Sequence, residues 1–375
     1  MAIVFLKQLD NTKVNLAYNN NLVKFYSSSS FTPVNATITI GSNVVTLFPD
    51  PNGVFTYNFK DLITTILNVD NFKDDLNPDL DISYVYDWTD KISLTDDIVI
   101  EILLSNDSNE TNTTNITWLS AFVQLRDWKR TYPATELLTT DVALLQKKNN
   151  TDLYDYHLNY WNGYPFDLTI YANEETVIVT NEVDLSNSSF DFNKISRLVF
   201  SDGRTDVSIE DTISLVEGFN NLDFGGFFNL NLNKSVDHCP NGIYLKWINS
   251  FGGWNYWLFN RGQENLKTKE LGALNNDFNN LEDTISPLVS LGKTSESAIK
   301  VREQRIKEYD KVMLSDLLDS AKVYLFTGLP FSQNTFNDWI EVNLSAGTFV
   351  LENPRSDLYR LDLTIELPTN ITRTL

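Results

Sequence analysis

Gly242-Ile-Tyr-Leu-Lys-Trp-Ile-Asn-Ser-Phe-Gly-Gly-Trp-Asn-Tyr-Trp-Leu-Phe259 is the stretch that decides how this chain is read. Two aromatic-rich strands surround Asn249-Ser-Phe-Gly-Gly253, whose glycines open a tight tip, so the segment predicts a β-hairpin. Alternation puts Ile243, Leu245 and Trp247 on one face of the first strand, and Trp254, Tyr256 and Leu258 on one face of the second. The opposite faces carry Tyr244, Ile248, Trp257 and Phe259, so neither side is mainly polar. Such a hairpin needs cover twice, by a domain core and by another layer or subunit. Tyr244, Trp247, Phe251, Trp254, Trp257 and Phe259 are therefore the candidate inter-subunit contacts, with core inside one domain as the competing reading.

Period-two alternation continues on the N-terminal side. Ala36–Ile40 and Val44–Phe48 flank a short turn at Gly41-Ser-Asn43, and Pro49-Asp-Pro-Asn-Gly53 is a second turn before the strand Val54–Asn58. Phe59, Leu62, Ile63 and Ile66 then fall at i, i+3, i+4 and i+7, the stripe of one helix. Strands are expected at Ile82–Trp88, Ile98–Leu104 and Ile116–Leu125, with Ser105–Thr114 an exposed loop. In the middle third, Leu138, Val142 and Leu145 suggest a helix over Ala134–Lys147. Strands are expected there at Leu168–Tyr171, Thr176–Thr180, Arg197–Ser201 and Thr212–Leu215.

Beyond the hairpin, Glu264–Ser295 is polar and reads as a long loop or arm. Ser297–Ile306 is expected to extend, Asp310–Ser320 to form a helix, and Val323–Phe326, Trp339–Leu344 and Leu358–Leu367 to form strands. The fold class is thus mainly β with minor α: a multidomain chain of β-sandwich-like units with a few short helices. Residues 1–126 make an N-terminal β domain with one helix, 127–235 a middle β-rich domain, and 236–375 a C-terminal domain carrying the hairpin and an arm at about 264–295.

Composition removes several classes of function. With 375 residues, 42% of them hydrophobic and 13% aromatic, the chain can bury real cores. Its 29 basic and 50 acidic residues leave a net charge of −21, which repels phosphate and argues against sequence-independent nucleic-acid binding; no sequence-specific nucleic-acid partner is expected either. One cysteine, Cys239, excludes an intrachain disulfide and Cys-rich zinc modules. Two histidines, His157 and His238, leave little general acid–base vocabulary. The 43 asparagines suggest a genome rich in A and T. No signal peptide or apolar run of spanning length is read, so a soluble protein with no membrane partner is expected.

No motif carries recognisable chemistry. Ser290-Leu-Gly-Lys-Thr294 resembles the end of a phosphate-binding loop, but Pro287 stands where that loop needs its first glycine. His238-Cys239 are neighbours on an extended chain and point apart. His157, in Tyr154-Asp-Tyr-His-Leu-Asn-Tyr-Trp161, reads as one of an aromatic cluster. Asp75-Leu-Asn-Pro-Asp-Leu-Asp81 spaces oxygens like a calcium loop, yet has Leu80 at the glycine position and Tyr86 at the bidentate glutamate position. The basic residues from Lys293 to Lys311 alternate with Glu296, Glu303 and Glu308, the pattern of a salt-bridged face. No catalytic residue, cofactor or metal ligand is assigned, and the chain is expected not to be an enzyme.

Three stretches together resemble virion structural proteins of tailed bacteriophages infecting Bacteroidota, including the crAss-like phages. The first is Asn21-Leu-Val-Lys-Phe-Tyr26 with Phe48-Pro-Asp-Pro-Asn-Gly53 and Tyr57-Asn-Phe-Lys-Asp-Leu62. The second is the Trp247–Phe259 hairpin, similar to their W-L-N-x-x-G-G hairpins, with Ile248 in place of the leucine. The third is Leu314-Ser-Asp-Leu-Leu-Asp-Ser-Ala-Lys-Val-Tyr-Leu325 and the strands after it. The middle third departs from this pattern. The resemblance implies a homo-oligomeric ring in the tail, neck or baseplate of a virion, assembled in the host cytoplasm with other tail or neck proteins. Its acidic charge suits a lumen through which DNA passes. The runner-up is a carbohydrate- or receptor-binding module that uses exposed aromatics as sugar platforms.

Overall fold

The computed structural model describes residues 3–123, 137–148, 155–236, 242–259, 262–275, 288–328, 339–349 and 359–369. In chain order come β1 (Ile3–Lys7), β2 (Val14–Leu16), β3 (Leu22–Ser27), β4 (Pro33–Ile40), β5 (Asn43–Leu47) and β6 (Val54–Asn58). Helix α1 (Lys60–Leu67), β7 (Val85–Asp87), the one-turn helix α2 (Thr89–Ile92), β8 (Ser93–Leu104) and β9 (Asn109–Leu119) follow. The next run is β10 (Ala143–Leu144), β11 (Tyr156–Trp161), β12 (Phe166–Tyr171), β13 (Thr176–Asn181) and β14 (Ser186–Asp191). After it come β15 (Ile195–Ser201), β16 (Gly218–Phe224) and β17 (Asn229–Ser235). The last run is β18 (Ile243–Ile248), β19 (Trp254–Phe259), β20 (Gly262–Asn275), β21 (Leu288–Ile306), helix α3 (Glu308–Asp319), β22 (Val323–Phe326), β23 (Trp339–Phe349) and β24 (Tyr359–Glu366). The protein is mainly β, with several sheets forming sandwich-like units and only short helices, as the alternation predicts.

The chain divides into two compact units, Met1–Ser235 with Asn249–Trp254, and Val236–Ile248 with Asn255–Leu375. In the first, sheet β1-β3-β6 faces sheet β2-β9-β8-β4-β5. The pleat explains why. Ala36, Ile38 and Ile40 of β4 pair with Ile102, Ile100 and Ile98 of β8 and all point inward. Phe25, Phe55, Phe59 and Trp118 fill the space between the sheets, with the Phe25 and Phe55 rings stacked at 5.3 Å. Helix α1 closes the sandwich by burying Ile63 and Leu67 beside Phe59. The turn before β6 is held by Asp50, whose carboxylate accepts the N–H groups of Asn52 and Val54 at 2.8 and 2.9 Å.

Two more sheets complete this unit: β10-β12-β15-β7 and β11-β17-β16-β13-β14. All of β12 and β15 is buried, the pattern of strands covered on both faces. Tyr160, Phe166 and Phe200 make an edge-and-tilt cluster with centroids 5.4 to 6.0 Å apart. The second unit holds one seven-stranded sheet, β19-β18-β22-β23-β24-β21-β20. Leu361, Leu363 and Ile365 of β24 point into its core, and α3 buries Val312, Met313, Leu314 and Leu317.

Several expectations need correction. Residues 137–148 contain no helix; Ala143 and Leu144 instead pair with Tyr171 and Ile170. Val142 to Leu145 are buried consecutively, so cover on all sides and strand pairing override a helical spacing that three residues also satisfy. The loop expected over Ser105–Thr114 shrinks to four residues, because Asn109–Thr114 belong to β9 and put their polar side chains on a half-solvated ladder. The strand at Ile82–Trp88 is only β7, with Ile82 left 81% exposed. Thr212–Leu215 follows a 3-10 turn, Ile209–Asp211, capped by Ser208, and is not a strand. The polar stretch Glu264–Ser295 is no loop where described: it is β20 and the first half of β21, paired to one another.

Ile63→Ala should remove a fully buried side chain at the centre of the first sandwich, costing about 2–5 kcal/mol. Calorimetry should show a lower transition for the first unit and an unchanged one for the second.

Candidate functional site

The six aromatic residues expected to meet another subunit are all covered within one chain. Trp247 and Phe259 are 0% exposed, Tyr244 1%, Trp254 3%, and Phe251 and Trp257 8%. Alternation holds within each strand, but the strands combine the other way from the expected grouping: the Tyr244 and Tyr256 rings stack at 6.0 Å, so Tyr244 shares the side of Trp254, Tyr256 and Leu258. Both sides are already occupied, so none of the six offers a surface to a second copy. This corrects the expected use of the hairpin. It also removes Trp247, Trp254 and Trp257 as a sugar platform.

The tip is built to be enclosed. Asn249 accepts the N–H groups of Phe251 and Gly253 on its side-chain oxygen at 2.8 and 3.1 Å, and its amide nitrogen donates to the Leu145 carbonyl at 2.9 Å. The Ser250 carbonyl accepts the Phe122 N–H at 2.7 Å. Phe251 enters a cluster with Trp88, Ile92, Leu119, Tyr171 and Ile195. Gly252 has φ +84°, and a Cβ there would lie 2.9 Å from the Ser120 carbonyl; one on Gly253 would lie 2.7 Å from that of Leu145. The paired glycines thus serve close backbone approach as well as the turn.

Trp254 borders a buried charge cluster that sequence reading missed. Arg197 donates to both carboxylate oxygens of Asp167 at 3.1 and 2.5 Å and to Asp74 at 2.7 Å. Its guanidinium lies 4.8 Å from the Trp88 ring centre and 5.9 Å from that of Trp254. All three charged side chains are at most 6% exposed. The available signal was a single charge inside each of two otherwise uncharged strands, Asp167 in β12 and Arg197 in β15. Such charges are kept when paired and hydrogen-bonded, as here.

The other candidates resolve into structural roles. In the acidic stretch, Asp75 receives Lys91 at 3.0 Å, Asn77 receives Arg204 at 2.6 Å, and Leu80 is buried. The Asp79 N–H and carbonyl both bond the Tyr86 hydroxyl, at 2.6 and 2.7 Å. Among the described residues no three His, Cys, Asp or Glu side chains group as a metal site. Ser290–Thr294 lies inside β21, where Gly292 pairs with Gly272, so it is not a turn leading into a helix. His157 sits half-buried on β11. His238 and Cys239 lie outside the described residues. In the basic run, Lys293 stands opposite Glu270, and Arg302 binds Asp362 at 2.5 Å. Burial works to raise Asp362, but hydrogen bonds from Arg360 and Arg302 outweigh it and hold the carboxyl below its usual range.

What the second unit does expose is the β20–β21 arm. Its strands pair from Gly262 opposite Val301 to Asn275 opposite Leu288, while β24 accompanies β21 only over Ala298–Ile306. Leu266, Leu271 and Leu274 on β20 are 65%, 49% and 54% exposed.

No protein-family model matches the chain, and no curated protein does. Among solved structures it is similar to the fibronectin(III)-like modules of CbhA from Clostridium thermocellum, at 8% identity and TM-score 0.20, over 62% of this chain and 94% of that one. A 1.5-MDa bacterial ice-binding adhesin gives 8% identity and TM-score 0.18 over 81% and 93%. A Ca2+-stabilized adhesin with which an Antarctic bacterium binds ice gives 9% and 0.18 over 93% and 76%. Likeness at this level carries no statement about function. Among the described residues no helix is long and apolar enough to cross a membrane.

Gly253→Ala should force the tip away from the Leu145 carbonyl and cost about 1–3 kcal/mol, read as a lower unfolding midpoint of the first unit. Arg197→Ala leaves two buried carboxylates without their cation and should cost about 3–5 kcal/mol by the same measurement. Tyr171 donates to the Thr139 carbonyl at 3.0 Å, and burial, with the Asp141 charge adding, pushes its hydroxyl up to about 12. Burial raises Tyr156 and Tyr160 as well. A phenol whose folded value lies above its unfolded one contributes stability that is whole below pH 10 and lost as the pH rises through the folded value. The melting temperature of the first unit should therefore fall between pH 10 and 12, and less steeply in Tyr171→Phe.

Proposed function

We propose that this protein is a non-enzymatic structural subunit of a tailed-bacteriophage virion, forming a ring in the tail, neck or baseplate through contacts between copies and with other tail or neck proteins. The observation that carries the reading is the β20–β21 arm, a paired ribbon that projects past its sheet and exposes leucines along one strand. Exposed apolar residues on an unaccompanied strand mark a surface made for a protein partner. The resemblance of the N-terminal strand–turn–helix, the hairpin and the α3–β22 segment to phage virion proteins supports the same reading.

Groups with reactive chemistry are spent on architecture. Arg197, Lys91 and Arg204 neutralise or bond the acids and amide around Asp74–Asp79, and the hairpin aromatics fill a core. A net charge of −21 keeps free subunits apart and keeps DNA from adhering to a channel wall. The carbohydrate-binding alternative loses its platform with the burial of the hairpin.

Light scattering and negative-stain microscopy of the purified chain, alone and with the products of adjoining genes, test the reading. Closed rings or a defined complex with a virion protein are expected. A chain that stays monomeric at high concentration and binds none of those products would overturn it.

A further inference from the structure

Among the described residues, the arm of the second unit has two open sides. Over Ala298–Ile306, β21 lies between β20 and β24. Among the described residues, the last backbone bond on the β24 side is the Leu367 N–H donating to the Ser297 carbonyl at 3.0 Å. From there to Leu288, β21 has a strand on one side only, and β20 is the end strand of its sheet along all of Gly262–Asn275, among the described residues. Each open side presents a row of N–H and C=O groups, and a two-stranded ribbon by itself is marginally stable in water. At about 3.3 Å per residue this ribbon is roughly 45 Å long, which is far more edge than a protein leaves bare.

Charge says what can cover it. The chain carries −21, so two copies repel over most of their surfaces. The part of the arm beyond β24, residues 266–275 with 288–297, is close to balanced: Glu270 and Glu296 against Lys267, Lys269 and Lys293. Two of these pairs face each other across the ladder, Lys267 opposite Glu296 and Glu270 opposite Lys293. Arms can therefore stand side by side where bodies cannot. The acids between the two strands, Asp277, Glu282 and Asp283, lie outside the described residues.

We propose that arms of neighbouring copies of this chain pair edge to edge, β20 of one with β21 of the next, into a sheet that closes on itself as a barrel. The inference rests on the ring reading and names its contact. Pairing β20 with β21 is head-to-tail and repeats with every copy, the relation a ring requires, and closure leaves no edge open. Pairing β20 with β20 about a two-fold axis would stop at two copies and leave both β21 edges bare.

The test is disulfide trapping in the full-length chain with Cys239→Ser. A Thr268→Cys chain is mixed with a Ser290→Cys, Lys293→Cys or Ser295→Cys chain and oxidised. Cross-linked pairs are expected in at least one mixture and in none of the single variants. A second variant, Leu266→Lys with Leu271→Lys and Leu274→Lys, changes only exposed side chains. It should keep its melting temperature while needing at least about tenfold more protein to assemble. Cross-linking of Thr268→Cys to itself would overturn head-to-tail pairing. Rings that form without arm cross-links and tolerate the three lysines would overturn the arm contact and leave the ring reading standing. A chain that neither cross-links nor oligomerises overturns the arm contact, and binding to the products of adjoining genes then decides the ring reading separately.

Discussion

A β-strand is stable only when both of its edges and both of its faces find partners or water, and the distinctive features of this chain follow from how that demand is met. In the first unit β12 and β15 are enclosed on both faces, so their few polar side chains must be satisfied internally. At the hairpin tip a single side-chain amide, that of Asn249, accepts two N–H groups of the turn and donates to the Leu145 carbonyl, adding to the turn's own backbone bonds. The arm is where the demand is left unmet within one copy.

The Asp74–Arg197–Asp167 cluster shows the energetic scale of enclosure. Taking a guanidinium and two carboxylates out of water is costly, and their mutual attraction repays it only when the hydrogen bonds are well made. Arg197 reaches both oxygens of Asp167 and one of Asp74, and the rings of Trp88 and Trp254 have their centres within 4.8 and 5.9 Å of its guanidinium carbon. Such a cluster adds less to net stability than to uniqueness: strand β15 cannot shift by one residue without moving its arginine to the wrong face.

In the proposed assembly, surface charge keeps copies apart and the exposed leucines of the arm bring them together. The acidic excess acts at long range and is indiscriminate. Apolar contact acts only where strands are bare and charge is balanced. The six hairpin aromatics are unsuited to that second role because they are covered within the chain. The proposed arm contact gives it instead to three exposed leucines in a polar segment.

Sequence alone determined that the chain is a β protein, where most strands lie, which residues share a face within each hairpin strand, and that α1 and α3 are helices. These depend on local periodicity, which the pleat and the helix repeat translate directly into burial. Tertiary structure decided what covers each face. Ala143-Leu144 became a strand because Tyr171 and Ile170 stand beside it, and Asn109–Thr114 joined a ladder because their partners in β8 lie a short turn away. Asp167 and Arg197 lie 30 residues apart and meet only through the pairing of β12 with β15. Whether an aromatic side chain is core or contact depends on its neighbours in space, and spacing along the chain does not encode them.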